Sequence, residues 1–285
     1  MLKLAGVVIL YHPDKSKTFE NIASYANQLN KLYIFDNSVP SSIDPLNDLA
    51  NLKIQYEFIT TGTNEGISKR LNEAAHKAIQ EGYDFLLTMD QDSSFEPGAF
   101  EQYLQLVDAY GKEQVAQIGV NCDPKHIAIS DVPFNINSLI TSGTILNLTL
   151  FKNIGNFDEK LFIDFVDVEY SLRASYKGYQ NIIFPNIIMQ HALGYLKLGR
   201  SFKNFKKTLR ILNAPIRVYY IVRNGLYLLF KVEHLDKKTR KDILFDHMKM
   251  LKNDFLYNDH LAAVYVNAAQ GVYDFLLNKM GKKIK

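Results

Sequence analysis

The chain has 285 residues, of which 47% are hydrophobic and 22% charged, so it carries enough apolar sequence for a sizeable core in one large domain or a domain with an extension. Its single cysteine, Cys122, excludes an internal disulfide framework and a multi-cysteine metal site, and fits a reducing compartment. The net charge of +3 conceals a split: residues 200–285 carry 18 Lys and Arg against 7 Asp and Glu, while residues 1–199 carry 15 against 23.

The opening "MLKLAGVVILYHP" is briefly apolar, but it lacks a strong basic leader and an A-x-A-like exit, so it reads as a first strand over 4–10 and not as a signal peptide. Residues 18–30 place Ile22, Tyr25, Ala26 and Leu29 at helical spacing. A second strand is predicted over 31–38, ending at Asp36-Asn37-Ser38, and a third over 53–60. The next helix carries Ile67, Leu71, Ala74, Ala75, Ala78 and Ile79 on one face, with Asn64 as its expected N-cap and Gly82 at the position of a terminating glycine. "YDFLLTMD", 83–90, is another strand. Such strand–helix alternation predicts an α/β fold with a mainly parallel sheet, whose ligands bind beyond the carboxyl ends of the strands. Asp36, Asn37, Asp90 and Asp92 all fall at such ends.

Further on, a helix entered through Pro97 and a strand over 115–121 are expected, then a strand, a Ser-Gly turn and a short helix within 138–155. A helix from about 166 stops at Gly178, and the strand-like "NIIFPNIIMQHALG" reaches His191. From about 199 the chain reads as mostly helical, which suggests a catalytic domain over 1–198 and a helical region over 199–285. The basic excess of that tail has two readings, a solvated helical surface or a surface that meets anionic lipid. A nucleic-acid arm is disfavoured, because the tail's aromatics sit in apolar helical patterns and not among its basic residues. No run of about 18 apolar residues occurs, so no transmembrane helix is expected.

Three constellations carry chemistry. Asp90-Gln91-Asp92 puts two carboxylates one residue apart at the wet end of a strand, where their repulsion calls for a cation; hard oxygens suit Mg²⁺ or Mn²⁺, which in turn bind diphosphate. Asp164, Asp167 and Glu169 crowd a helix start, either as first-turn electrostatics or with one of them as a general base. His191 is a structural histidine or a borderline ligand beside the carboxylates, and His12 follows the first strand toward the same rim. No P-loop, G-x-G-x-x-G or G-x-S-x-G is present.

In order along residues 4–230, "VVILYHPD", "YIFDNS", "NEGISKRLNEAAHKAIQEGYDFLLTMDQDS", "TSGTI", "FIDFVDVEYSLRASYKGY", "QHALG" and "YYIVRNGLYL" resemble family 2 glycosyltransferases of the GT-A fold, and among them bacterial rhamnosyltransferases. The resemblance implies that Asp36 binds the nucleobase with Tyr11 lining its pocket, that Asn64, Arg70 and Gln91 belong to the nucleotide-sugar site, that Asp90 reaches ribose and metal, and that Asp92 and His191 ligate a Mn²⁺ or Mg²⁺ on the diphosphate. Asp167 matches the family's base; Val166 stands where many relatives carry Glu or Asp, which makes Asp164 a competitor, and Tyr170 replaces a commoner Trp. The implied activity is inverting transfer of L-rhamnose from dTDP-rhamnose to a growing, lipid-linked surface polysaccharide such as O-antigen or capsule. It would take place in the cytoplasm, with the tail at the inner face of the membrane. The alternatives are another donor such as UDP-galactofuranose or a UDP-hexose and, from other classes, a nucleotidyltransferase or a non-catalytic nucleotide-sugar-binding module.

Overall fold

A computed structural model describes residues 2–41, 52, 54–111, 113–191, 194–200, 206–233 and 235–284. The chain divides into two compact units, Met1–Phe162 with Val166–Ala192, and Ile163–Phe165 with Leu193–Lys285.

The first unit runs β1 (Leu4–Leu10), α1 (Lys15–Ala23), β2 (Lys31–Asp36), β3 (Tyr56–Thr60), α2 (Ile67–Gln80), β4 (Phe85–Asp90), β5 (Ser93–Phe95), α3 (Ala99–Ala109), β6 (Val115–Asn121), β7 (Phe134–Asn135), β8 (Thr144–Asn147), α4 (Leu148–Ile154), α5 (Val166–Tyr176) and β9 (Gln180–His191). Among the described residues the strands form one sheet in the order β3-β2-β1-β4-β8-β6-β9-β5, with β7 on β9. β3, β2, β1 and β4 pair in parallel, as do β6 and β9, while β8 lies between β4 and β6 antiparallel to both. The long strands other than β8 therefore share one direction, as the alternation predicts. β4 lies in the middle of the sheet, which is why Leu86, Leu87 and Met89 are buried. The core joins Val8 and Leu10 of β1 to Ile22 and Tyr25 beside α1 and to Phe100 and Tyr103 of α3.

α2 buries Leu71, Ala74, Ala75 and Ala78 as its periodicity requires. Its start differs from the expectation. Asn64 does not cap it; Gly66 holds that position at φ +85°, and the Asn64 Oδ1 accepts from the Gly66 N–H at 3.0 Å. The cause is Phe162: its carbonyl accepts from the Ile67 N–H at 2.7 Å, and its ring would lie 2.5 Å from any Cβ at position 66. A bare glycine in the left-handed region lets Phe162 take over the first turn. Gly82, at φ +81°, ends the helix as expected. β3 begins at Tyr56, later than the predicted strand over 53–60, whose first residue lies outside the described ones.

The second unit is mostly helical from 199 on, as expected, and carries in addition a ribbon that the sequence pattern had not suggested. An antiparallel ribbon, β10 (Tyr195–Arg200) and β11 (Lys207–Leu212), precedes α6 (Pro215–Lys231), α7 (Lys237–Tyr257) and α8 (Leu261–Leu276). "YLKLGR" and "KTLRIL" both alternate with period two, a strand pattern that the basic residues obscure. α6 is the central helix of this unit. Its Arg223 is fully buried and donates to Asn224 Oδ1, the Tyr219 hydroxyl and the Gly281 carbonyl, and Tyr219 donates to Asp274 at 2.9 Å. Gly225 makes room for His247 of α7, whose ring would lie 2.4 Å from a Cβ there.

His247 gives this unit a pH dependence. Burial holds its imidazole below the ordinary value of 6.5, opposed by a backbone hydrogen bond at Ile221, and Nε2 has no partner among the described residues. The unfolded chain takes up a proton as pH falls through about 6.5, whereas the folded chain resists until lower pH. The stabilisation is thus complete above about 6.5 and is lost as pH falls from there toward the folded value. Melting temperatures at neutral and mildly acidic pH should diverge more in the native chain than in His247→Gln; equal drops would place the sensitivity elsewhere.

Candidate active site

The parallel register sets the rim. Ile9 is level with Asp90, Leu10 with Asp36, and Asp36 with Thr60, so β1, β2, β3 and β4 end together. The Asp90 backbone N–H donates to Ser142 Oγ at 3.0 Å, the Gly143 N–H donates to the Thr88 carbonyl at 2.9 Å, and Thr88 Oγ1 donates to the Thr144 carbonyl at 3.1 Å. "TSGT" thus clamps the last residues of β4 and fixes where Asp90 emerges.

β5 pairs with the end of β9, and Ser93 lies opposite His191. Ligand atoms of Asp90, Asp92 and His191 lie within 4.8 Å of one another. His191 Nδ1 is 2.7 Å from Ser93 Oγ and 3.6 Å from Asp92 Oδ1, with the ring mostly buried and Asp92 partly open to water. The set fits a divalent cation. Two carboxylates and an imidazole converge from two strand ends, and donor atoms around an octahedral ion of this size lie about 3–4 Å apart, so slight tightening closes the cluster. An imidazole nitrogen among carboxylates favours Mn²⁺ over the all-oxygen preference of Mg²⁺.

The residue between the two aspartates does a different job. The Gln91 side chain receives the Tyr11 N–H at 2.7 Å and donates to the Tyr11 carbonyl at 3.1 Å, while the Gln91 carbonyl accepts from Asn21 Nδ2 at 3.0 Å. Its amide is spent on holding the loop after β1, and the Tyr11 side chain is exposed beside His12, with ring centroids 4.5 Å apart. The His12 N–H donates to Ser38 Oγ at 2.7 Å, tying the same loop to the end of β2.

Asp36 and Arg70 lie beneath the rim. Asp36 is fully buried and accepts from the Ser38 N–H at 2.9 Å and from the Ser41 hydroxyl. Arg70, 1% exposed, donates to Asn37 Oδ1 at 2.9 Å, Glu73 at 2.7 Å and Thr61 Oγ1 at 2.6 Å, and its guanidinium lies 5.3 Å from the Phe35 ring centroid. Asn37 in turn donates to the Gly66 carbonyl at 3.2 Å. Arg70 and Asn37 therefore brace the ends of β2 and β3 and the start of α2, and the guanidinium has no open face toward a ligand.

The two candidate bases differ. Asp167 opens α5, is partly exposed and accepts from the Val168 N–H at 2.9 Å. It also acts on Cys122, next after β6: burial pushes that thiol up, and the carboxylates of Asp123 and Asp167 add to the effect, so the thiol stays protonated. Asp164 belongs to the second unit, where Arg217 grips both of its oxygens, with Nε at 2.9 Å from Oδ2. Asp164 and Phe165 both have positive φ. This costly geometry is held by Asn224, whose amide donates to the carbonyls of Ile163 at 2.7 Å and Asp164 at 3.0 Å. The roles of Arg217, Asn224, Ser93 and Ser142 lay outside the sequence reading. Arg217 and Asn224 lie in "IRVYYIVRNGLYLLFK", 216–231, a mostly apolar and aromatic segment.

The Glycosyl transferase family 2 profile matches residues 13–163 of the 285-residue chain. The dTDP-rhamnosyl transferase RfbF of Shigella flexneri is 28% identical over 248 residues, covering 79% of each chain. Among solved structures, the fold is similar to that of TarS 1–349 of S. aureus in complex with UDP-GlcNAc, with TM-score 0.59, 14% identity, and coverage of 96% of this chain and 81% of that one. It is also similar to GalNAc-T7 with UDP, GalNAc and Mn²⁺, with TM-score 0.57, 12% identity and coverage of 91% of this chain; the chain spans only 58% of the GalNAc-T7 length. These likenesses give the sheet its fold class, GT-A, and the profile, which spans more than half of the sequence, places this protein in glycosyl transferase family 2.

Proposed function

We propose that the chain is an inverting glycosyltransferase that moves L-rhamnose from dTDP-rhamnose to a hydroxyl of a growing, lipid-linked surface glycan. The observation that carries the reading of the site is the convergence of Asp90, Asp92 and His191 within 4.8 Å at the ends of β4 and β9. The choice of donor rests on likeness to the Shigella flexneri enzyme named for dTDP-rhamnose.

Asp90, Asp92 and His191 would hold a divalent cation, Mn²⁺ by the donor set, and that ion would supply positive charge against the leaving diphosphate. The chain's own residues do the rest. Asp167 takes the proton from the acceptor hydroxyl as it attacks the anomeric carbon; the bond to the diphosphate breaks on the opposite face, and the configuration inverts. The base role favours Asp167 over Asp164, because Arg217 already occupies both Asp164 oxygens. Tyr11 borders the nucleobase, and Asn64 and the braced end of β2 shape the nucleotide pocket. A base contact at Asp36 requires the Ser41 hydroxyl to give way.

Gln91 enters as the residue that sets the Tyr11 loop. Gln91→Ala removes two hydrogen bonds to Tyr11 and is expected to weaken donor binding about 5- to 30-fold, with turnover at saturating donor little changed. An unchanged KM for donor would release Gln91 from this role.

The donor reading is tested by thermal shift of the purified chain with Mn²⁺ and a panel of dTDP-rhamnose, UDP-galactofuranose, UDP-glucose and UDP-GlcNAc. Selective stabilisation by dTDP-rhamnose is expected. Selective stabilisation by a UDP-sugar would change the donor and keep the enzyme class, and no response to any nucleotide sugar would end the proposal.

No helix among the described residues is long and apolar enough to cross a membrane. The basic excess of residues 200–285 supports attachment of this region to an anionic membrane face, where a lipid-linked acceptor resides.

A further inference from the structure

The ribbon of β10 and β11 has two unlike faces. Leu196 pairs with Ile211 and Leu198 with Leu209 on one of them; Tyr195 pairs with Leu212 and Lys197 with Arg210 on the other. The second face is packed. Leu212 is 0% and Arg210 7% exposed, the Arg210 guanidinium lies 3.8 Å from the Tyr257 ring centroid, and Lys197 Nζ donates to the Tyr257 carbonyl at 2.9 Å and to Asp259. The first face is bare: Leu196, Leu198, Leu209 and Ile211 are 62%, 61%, 59% and 43% exposed. A ribbon packed on one side normally turns polar side chains to water on the other. Here that side is aliphatic, and the packed side holds it at a fixed attitude on α7.

The charge of the ribbon narrows what covers it. Residues 195–212 hold six Lys and Arg and no Asp or Glu. Arg200 stands directly opposite Lys207, a like-charge pair that costs stability in water and gains from an anionic surface. A second copy of the ribbon is a poor occupant, because ribbon-to-ribbon contact would set cations against cations with no acid between them. Aliphatic side chains with Arg200 and Lys207 at one end of the same face match a bilayer with anionic headgroups.

We infer that the bare face of this ribbon docks on an anionic lipid bilayer. Leu196, Leu198, Leu209 and Ile211 enter the headgroup boundary, and Arg200 and Lys207 pair with lipid phosphates. The inference rests on the membrane-face reading above and assigns that contact to the ribbon and not to the helices.

The chain contains no tryptophan, so one introduced residue reports its own surroundings. Leu198→Trp places the reporter on the ribbon, and Tyr273→Trp places it at an exposed position of α8. With vesicles of phosphatidylcholine containing about 30 mol% phosphatidylglycerol, the emission of Leu198→Trp should shift to the blue at low salt, and that of Tyr273→Trp should not. Pure phosphatidylcholine or high salt should abolish the shift. Leu198→Thr with Leu209→Thr keeps strand-forming residues and should reduce vesicle binding about tenfold or more, with the thermal response to nucleotide sugar unchanged. If the unaltered chain leaves the vesicles unbound, the membrane reading and the ribbon fail together. Vesicle binding without a shift at position 198, or with the shift at 273, overturns the ribbon and leaves the membrane reading standing. A lipid-free dimer in sedimentation that the threonine variant dissolves would assign the face to a second copy instead.

Discussion

Asp167→Asn is expected to lower turnover by about 10²- to 10⁴-fold while donor binding stays within about twofold of the unaltered chain. The amide keeps the size of the side chain and can still accept from the Val168 N–H, so the start of α5 should survive. What it loses is the capacity to take a proton. Asp164→Asn should behave differently. It removes the carboxylate that Arg217 grips and loosens the positive-φ backbone of Asp164 and Phe165, so its effect should appear chiefly as a lower melting temperature. Turnover measured at saturating donor, beside thermal melts of both variants, separates the two. Full turnover in Asp167→Asn with loss in Asp164→Asn would reverse the assignment of the base.

Asp92→Ala should cost at least about 100-fold in Mn²⁺ affinity, since it takes away one of three converging donors. Binding is read directly by calorimetry or by the electron paramagnetic resonance of Mn²⁺, independent of turnover. Asp92 is partly exposed, and removing its repulsion with Asp90 relieves the empty site, so the fold should hold or gain slightly in the absence of metal. Ser93→Ala should weaken Mn²⁺ less, about 10-fold, by freeing the His191 ring. Undiminished Mn²⁺ binding in Asp92→Ala would remove this cluster from the account.

The parallel half of the sheet was legible in the sequence because buried parallel strands read as short apolar runs. "FLLTM" ending in Asp90 states both the depth of β4 and the place where it meets water. The residues alone left His191 as a structural histidine or a ligand, and family likeness favoured the ligand; its pairing opposite Ser93 joins residues 98 positions apart. One reading missed because a side chain's type does not reveal its partner. Asn64 looked like a cap, but Phe162 supplies the carbonyl that starts α2. Nor does residue type reveal that Gln91 holds Tyr11, or that Arg70 joins Asn37, Thr61 and Glu73. The ribbon was hidden because its alternating pattern carries lysine and arginine on the side that packs, where Arg210 stacks on Tyr257.

Metal-dependent transfer of rhamnose from dTDP-rhamnose can be measured directly. The most direct measurement incubates the full chain with dTDP-rhamnose and a lipid-linked glycan acceptor, following released dTDP and the mass of the acceptor, with Mn²⁺ and with a chelator. One added deoxyhexose per dTDP released is expected, in the inverted anomeric configuration and with Mn²⁺ only. Release of dTDP with retained configuration, or equal transfer in the presence of chelator, would contradict it.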